Sequence, residues 1–159
     1  MRHFTEDYAR EVMFKARVEN LEDKLAVRMA RQSILEQPSP PMTWFIVEQA
    51  ALRKPVGGAV VMAAQLEALL ELIRRLRIEF QVIPESVGAH AAMGTGLTIF
   101  SFAEGPDEVY VENQLEGSFI TSPEDVRRCV RIYDLARAVA LSTDDSIDLI
   151  VSALKEVKS

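Results

Sequence analysis

Apolar residues return at helical spacing in five stretches of this chain. Tyr8, Val12 and Ala16 fall on one face behind Thr5, with Glu6 and Asp7 in the first turn, which predicts a short helix capped by the threonine hydroxyl. Asn20 opens a second helix, with Asp23 three residues on as in a capping box and Leu21, Leu25, Met29, Gln32 and Leu35 along its face, until Pro38, Pro40 and Pro41 stop it. The clearest stripe is Met62, Leu66, Leu69, Leu70, Ile73 and Leu76, after Gly57-Gly58. Ser122-Pro123-Glu124-Asp125 combines an N-cap serine, a proline in the first turn and two acids, and it launches Val126, Val130, Tyr133, Ala136 and Ala140 on one face. Ser142-Thr143-Asp144-Asp145 opens the last helix, whose narrow stripe Ile147, Ile150, Val151, Leu154 and Val157 needs a covering surface, in this domain or in a second copy.

Between these stretches the period changes. Residues 42–47, with Trp44, Phe45, Ile46 and Val47 in succession, read as a strand covered on both faces, and residues 78–83 as its parallel partner across the central helix. Residues 97–102 and 108–113 alternate and are joined by Ala103-Glu104-Gly105-Pro106-Asp107, so a hairpin should add antiparallel strands to the sheet. The expectation is an α+β fold: a small mixed sheet, one parallel strand-helix-strand unit plus antiparallel strands, flanked by N-terminal and C-terminal helices. It forms one domain over residues 1–159, helical in 1–37, mixed in 42–120 and helical again in 122–158.

Composition narrows the function classes. A formal net charge of −6 repels phosphate backbones, so direct nucleic-acid binding is not expected. The arginine clusters at 74, 75 and 77 and at 127, 128 and 131 are read as solvated faces, the first complementing a helix C-terminus. Cys129 is the lone cysteine, which fits a reducing, cytoplasmic setting and excludes a cysteine-built metal site within one chain. No stretch approaches the ~18 apolar residues of a membrane span. Gly57-Gly58 lacks the remaining residues of a phosphate loop, and there is no zinc signature, serine elbow or Cys-His arrangement, so neither cofactor nor metal is expected.

The residues left to carry chemistry are few. Glu48 ends an apolar strand, where α/β sites gather, and Arg53 lies five residues on; they would grip or protonate a ligand, or brace the loop before Gly57 as an ion pair. His90 sits among small residues between Gly88 and Gly94, which allow close approach of a ligand, and histidine is the side chain best suited to proton transfer near neutral pH. Tyr110 and Glu112 share one strand face opposite Val109 and Val111, with Glu116 beyond a short turn; a polar face is a solvent face unless helices cover both sides, when it becomes a pocket wall. His90, Glu48, Tyr110 and Glu112 are the catalytic candidates, and Trp44, Arg53, Gly57, Gly58, His90 and Glu116 the ligand-binding ones.

Several ordered blocks then resemble one family. Thr5-Glu6-Asp7-Tyr8-Ala9-Arg10, the run from Glu48-Gln49-Ala50-Ala51-Leu52-Arg53 through Gly57-Gly58, Gln65-Leu66-Glu67, Phe80-Gln81-Val82-Ile83-Pro84, Gly88-Ala89-His90 and Val109-Tyr110-Val111-Glu112 resemble the C-terminal domain of antitoxin-like, Xre-type helix-turn-helix regulators of actinomycetes. The likeness runs from Thr5 through Leu141-Ser142, while Ala91 stands where the family often has proline and Gly94-Thr95-Gly96-Leu97 replaces a Gly-Pro-Phe turn. It implies a sensor domain that acts with small partner proteins, here without the helix-turn-helix half. Three functions follow as expectations: a module binding a small molecule or small protein, a cofactor-independent cyclase or isomerase of secondary metabolism reusing the sensor pocket, and a structural partner that pairs with full-length relatives through the last helix and blunts their DNA binding; a homodimer is the oligomer considered.

Overall fold

The computed structural model describes residues 4–75, 78–94, 96–112 and 117–159. The chain divides into two compact units: Met1–Val82 with Leu141–Ser159, and Ile83–Ala140. The fold is α+β, and among the described residues five strands form a parallel pair and a three-stranded antiparallel sheet, with helices at both ends of the chain. The antiparallel strands do not extend the parallel pair but make a sheet of their own.

In the first unit, α1 (Glu6–Lys15) starts on Thr5, whose hydroxyl accepts from the Tyr8 backbone amide. Its buried positions are Ala9 and Met13, with Val12 exposed, so the inward face is turned by about one residue from the Tyr8, Val12, Ala16 reading. Helix α2 (Leu21–Ala30) supplies Leu25 to the same small core, and the 3₁₀ turn over Arg31–Glu36 buries Gln32 and places Leu35 in a separate cluster with Leu72 and Ile78. Asn20 does not cap α2 through its side chain; it takes a left-handed conformation at φ 52°, whereas capping needs an extended one. Arg10 bridges the two helices, its guanidinium bonded to Glu22 and Glu6, and both carboxylates raise its pKa further.

The main core forms where β1 (Thr43–Glu48), the short α3 (Ala50–Arg53), α4 (Gly58–Arg75), β2 (Ile78–Ile83) and α6 (Thr143–Lys158) meet; α5 lies in the other unit. The α4 stripe is buried at Met62, Leu66, Leu69, Leu70 and Ile73, facing Ile150 and Ala153 of α6 and Val82 of β2. Leu76 lies outside the described residues. Coverage of the last helix therefore comes from this domain. Strand β1 is not covered on both faces: Phe45 and Val47 join the core, while Trp44 and the preceding Met42 are exposed. Alternation along a strand sends successive side chains to opposite sides, and the core occupies one of them.

Polar groups fasten these pieces. Gln65 is buried inside the α4 stripe, and its Oε1 accepts from the Thr5 amide at 2.7 Å and hydroxyl at 3.2 Å, anchoring the start of α1. The edge of β2 is clasped by the start of α6: the Leu141 amide donates to the Val82 carbonyl at 2.9 Å, and fully buried Ser146 accepts from the Val82 amide at 2.9 Å. Gln81 extends the clasp, accepting from Trp44 Nε1 at 2.8 Å and donating to the Leu141 carbonyl at 2.6 Å.

The second unit holds β3 (Leu97–Phe100), β4 (Glu108–Glu112) and β5 (Gly117–Ile120) in that order, with α5 (Pro123–Val139) packed against β4. Ser122 caps α5 by accepting from the Asp125 amide, as its sequence signature requires. On α5, burial raises the phenol pKa of Tyr133 above its ordinary value near 10, Asp134 adding to the shift and Arg137 opposing it. The folded phenol thus keeps its proton to higher pH than the unfolded one, so stability holds below the ordinary value and is lost as pH rises from there through the folded pKa. Tyr133→Phe is expected to remove that share of the alkaline loss. Urea titrations at about pH 9 and pH 11 check it, since an unchanged pH dependence in the variant would refute the assignment.

Candidate functional site

The candidate residues fall into both units. In the first, Trp44 is 37% exposed on β1 and its indole is committed to Gln81, which gives it a bracing role. Glu48 ends β1 and is exposed; Arg53 ends α3 and pairs with Glu156 of α6 at 3.3 Å. Gly57 and Gly58 have φ of +67° and +81° as the backbone swings into α4. A Cβ at Gly57 would lie 2.8 Å from the Val61 side chain and 3.0 Å from Glu11 Cγ, so packing against α1 and α4 explains this glycine without a ligand. Gly57→Ala is expected to cost about 1–3 kcal/mol, from the left-handed φ and the clash together. Gly58→Ala meets no neighbour within 4 Å and pays for φ alone, so thermal denaturation of the two variants side by side tests the packing account.

A surface groove of about 550 Å³ runs between α4 and α6, floored by Leu70, Val151 and Leu154 and edged by Glu67, Glu71, Arg74 and Arg75. Glu67 is held by Lys158 across it. Sequence reading placed these residues on two separate helices and had no means of pairing them.

In the second unit the β3–β4–β5 register fixes which side chains share a face. Thr98 lies opposite Tyr110, which lies opposite Phe119, and Phe100 lies opposite Glu108. Thr98, Phe100, Glu108, Tyr110, Glu112 and Phe119 therefore form one face. Leu97, Ile99, Val109, Val111 and Ile120 line the other, where Val109 is fully buried. On the first face the Phe119 ring stands edge-on to Tyr110 with centroids 5.2 Å apart and lies 6.3 Å from Phe100. Phe100 is 42% and Phe119 56% exposed, and Glu108 and Glu112 are exposed beside them. Tyr110 is half-buried because its ring lies over Gly117, where an added Cβ would come within 1.7 Å of the phenol oxygen. The strand-face assignment of Tyr110 and Glu112 thus holds, and the face they share is a solvent face. Phe100, Glu108 and Phe119 escaped the sequence reading, although the alternation of Thr98, Phe100 and Phe102 carried the signal.

His90 is half-buried in the segment between Gly88 and Gly94, with Nδ1 shielded from solvent and its carbonyl accepting from the Met93 amide at 3.2 Å. Glu116 lies outside the described residues. Among the described residues no cluster of three or more His, Cys, Asp or Glu side chains could hold a metal ion, and no helix is long and apolar enough to cross a membrane.

Charge is distributed unevenly. Residues 83–122 hold six carboxylates and neither lysine nor arginine, so they account for the whole net charge of −6; the rest of the chain carries eighteen acids against eighteen bases. The molecule is thus an α+β protein with a helix-packed parallel pair and an acidic, aromatic-faced antiparallel sheet. The chain belongs to the family described as Domain of unknown function (DUF5753), whose model matches residues 4–152. No curated protein and no solved structure matches it.

Proposed function

We propose that this domain is a sensor-type binding module that takes up a small protein partner and makes no direct contact with DNA. The observation that carries this reading is the aromatic cluster on the antiparallel sheet, formed by exposed Phe100 and Phe119 with half-buried Tyr110. Large apolar side chains gathered on a solvent face are characteristic of interaction surfaces, and aromatic rings supply much of the energy of such surfaces. The acidity of residues 83–122 opposes a phosphate backbone there. The resemblance to the sensor half of Xre-type regulators of actinomycetes supplies the same reading, with small partner proteins as the natural candidates and a small molecule as the other kind of ligand. Gentle affinity purification from the source organism, run with the wild type and with Phe100→Ser/Phe119→Ser, tests it by mass spectrometry of the intact complex. A stoichiometric partner lost in the double variant supports the reading; one retained undiminished overturns the assignment to this face.

The second reading is a cofactor-independent enzyme of cyclase or isomerase type, working in the cytoplasm in secondary metabolism. The place of half-buried His90 among small residues favours it, because a ligand can approach such an imidazole closely and exchange a proton with it. Tyr110 and Glu112 of the same unit would be the other acid and base candidates. Turnover of a host-extract metabolite that survives alanine at all three positions excludes it.

A further inference from the structure

We infer that the occupant of the aromatic sheet face is an arginine-rich segment of a partner protein, an inference that rests on the binding-module reading and names the chemistry of the partner. Three observations converge on it. The face presents aromatic rings at Phe100, Tyr110 and Phe119, and ring faces attract cations, guanidinium above ammonium because its planar group also stacks. Exposed Glu108 and Glu112 stand on the same face, so a guanidinium over a ring has a carboxylate acceptor within the same patch. The surrounding segment, residues 83–122, has six acids and no lysine or arginine, so an approaching cation meets no like charge from it.

A second copy of this chain is a poorer fit. The exposed arginines of its own second unit, Arg127, Arg128, Arg131 and Arg137, lie on α5, where Glu124, Asp125 and Asp134 offset three of the four charges, Asp134 in an ion pair with Arg137. A neutral apolar partner would leave the concentration of charge unexplained, and an acidic one would be repelled.

The test uses the full chain and three fluorescein-labelled short peptides of alternating arginine and leucine, lysine and leucine, or serine and leucine, with binding read by anisotropy. The arginine peptide is expected to bind about tenfold more tightly than the serine peptide and more tightly than the lysine peptide, with the difference from serine shrinking as ionic strength rises from about 0.05 to 0.15 M. Glu108→Gln/Glu112→Gln is expected to weaken it roughly five- to tenfold, and Phe119→Ser roughly threefold or more, from the loss of two exposed ion pairs and of a ring. These positions are exposed, so unchanged melting temperatures confirm that the variants are folded. Glu67→Gln/Glu71→Gln removes the same charge from the α4–α6 groove and is expected to change affinity less than about twofold. Equal losses in the two double variants would reduce the effect to net charge and overturn the inference. A serine peptide that binds as tightly as the arginine one, and is lost in Phe119→Ser, would overturn the cationic partner while leaving the binding module standing. Absence of arginine-peptide binding also overturns it, with the purification experiment judging the module separately. Self-association of the free protein that Glu108→Gln/Glu112→Gln abolishes would make a second copy the occupant instead.

Discussion

Ile150→Ala is expected to lower the stability of the first unit by about 3 kcal/mol, within the roughly 2–5 kcal/mol seen when a large aliphatic core residue is cut to alanine. Ile150 has no exposed surface and belongs to the buried cluster in which α6 meets α4 and β2, with Leu66, Met62 and Val82 among its members. The cavity cannot close easily, because its walls belong to three elements that are each pinned elsewhere: α4 to Thr5 through Gln65, and α6 to β2 through Ser146. Trp44, the lone tryptophan, lies in the same unit and bonds to Gln81 on β2, so its fluorescence reports this core directly. The urea midpoint followed at Trp44 should fall, with a melting temperature lower by roughly 6–12 °C. Leu135→Ala, at a residue 52% exposed on α5, is expected to change stability by no more than about 0.5 kcal/mol. A Trp44 transition as insensitive to Ile150 as to Leu135 would mean that α6 does not close the core.

Ser146→Val should cost nearly as much, by a different route. The serine Oγ accepts from the Val82 amide at 2.9 Å and donates to the Ser142 carbonyl at 2.7 Å, in a site without solvent contact. The Ser142 carbonyl keeps a partner after substitution, since the Ser146 backbone amide also donates to it at 2.9 Å. The Val82 amide loses its acceptor, a penalty of about 1–3 kcal/mol for a buried donor. Valine adds a methyl group to a filled site, for roughly a further 1 kcal/mol or more. Ser146→Ala carries the first cost alone, so the difference between the two variants separates the hydrogen bond from the packing. Equal stabilities for Ser146→Ala and wild type would show that the hydroxyl contributes nothing to the clasp.

The elements legible in the sequence were those whose signals are local. Thr5, Ser122 and Ser142 cap the helices they precede, and the α4 stripe and the β2 run are buried where their periods place them. Asn20 failed as a cap because residue type allows capping and backbone geometry decides it; the turn from Arg17 to Asn20 puts both ends in left-handed conformations. The face of α1 was misjudged because Tyr8 with Val12 and Ala9 with Met13 are both apolar at helical spacing, and the choice belongs to whatever packs against them. Strand β5 offered only Gly117-Ser118-Phe119-Ile120, four residues with no alternation to read. The aromatic cluster depends on a register across three strands, as the groove depends on two helices far apart in the chain, and neither property is local.

The Val82–Leu141 clasp has a consequence for synthesis. The first unit is interrupted: its sequence stops at Val82 and resumes only at Leu141, after the whole second unit. On a ribosome, residues 83–140 emerge and can pair their strands while the part of the α4 stripe that α6 covers is still open to solvent. That part is closed only when α6 leaves the exit tunnel and Ser146 reaches the edge of β2. Domains that form as units during translation generally do so in chain order. Here the order is reversed: the half of the molecule that begins first is completed last, and its longest exposed surface is the helix with the largest share of the core.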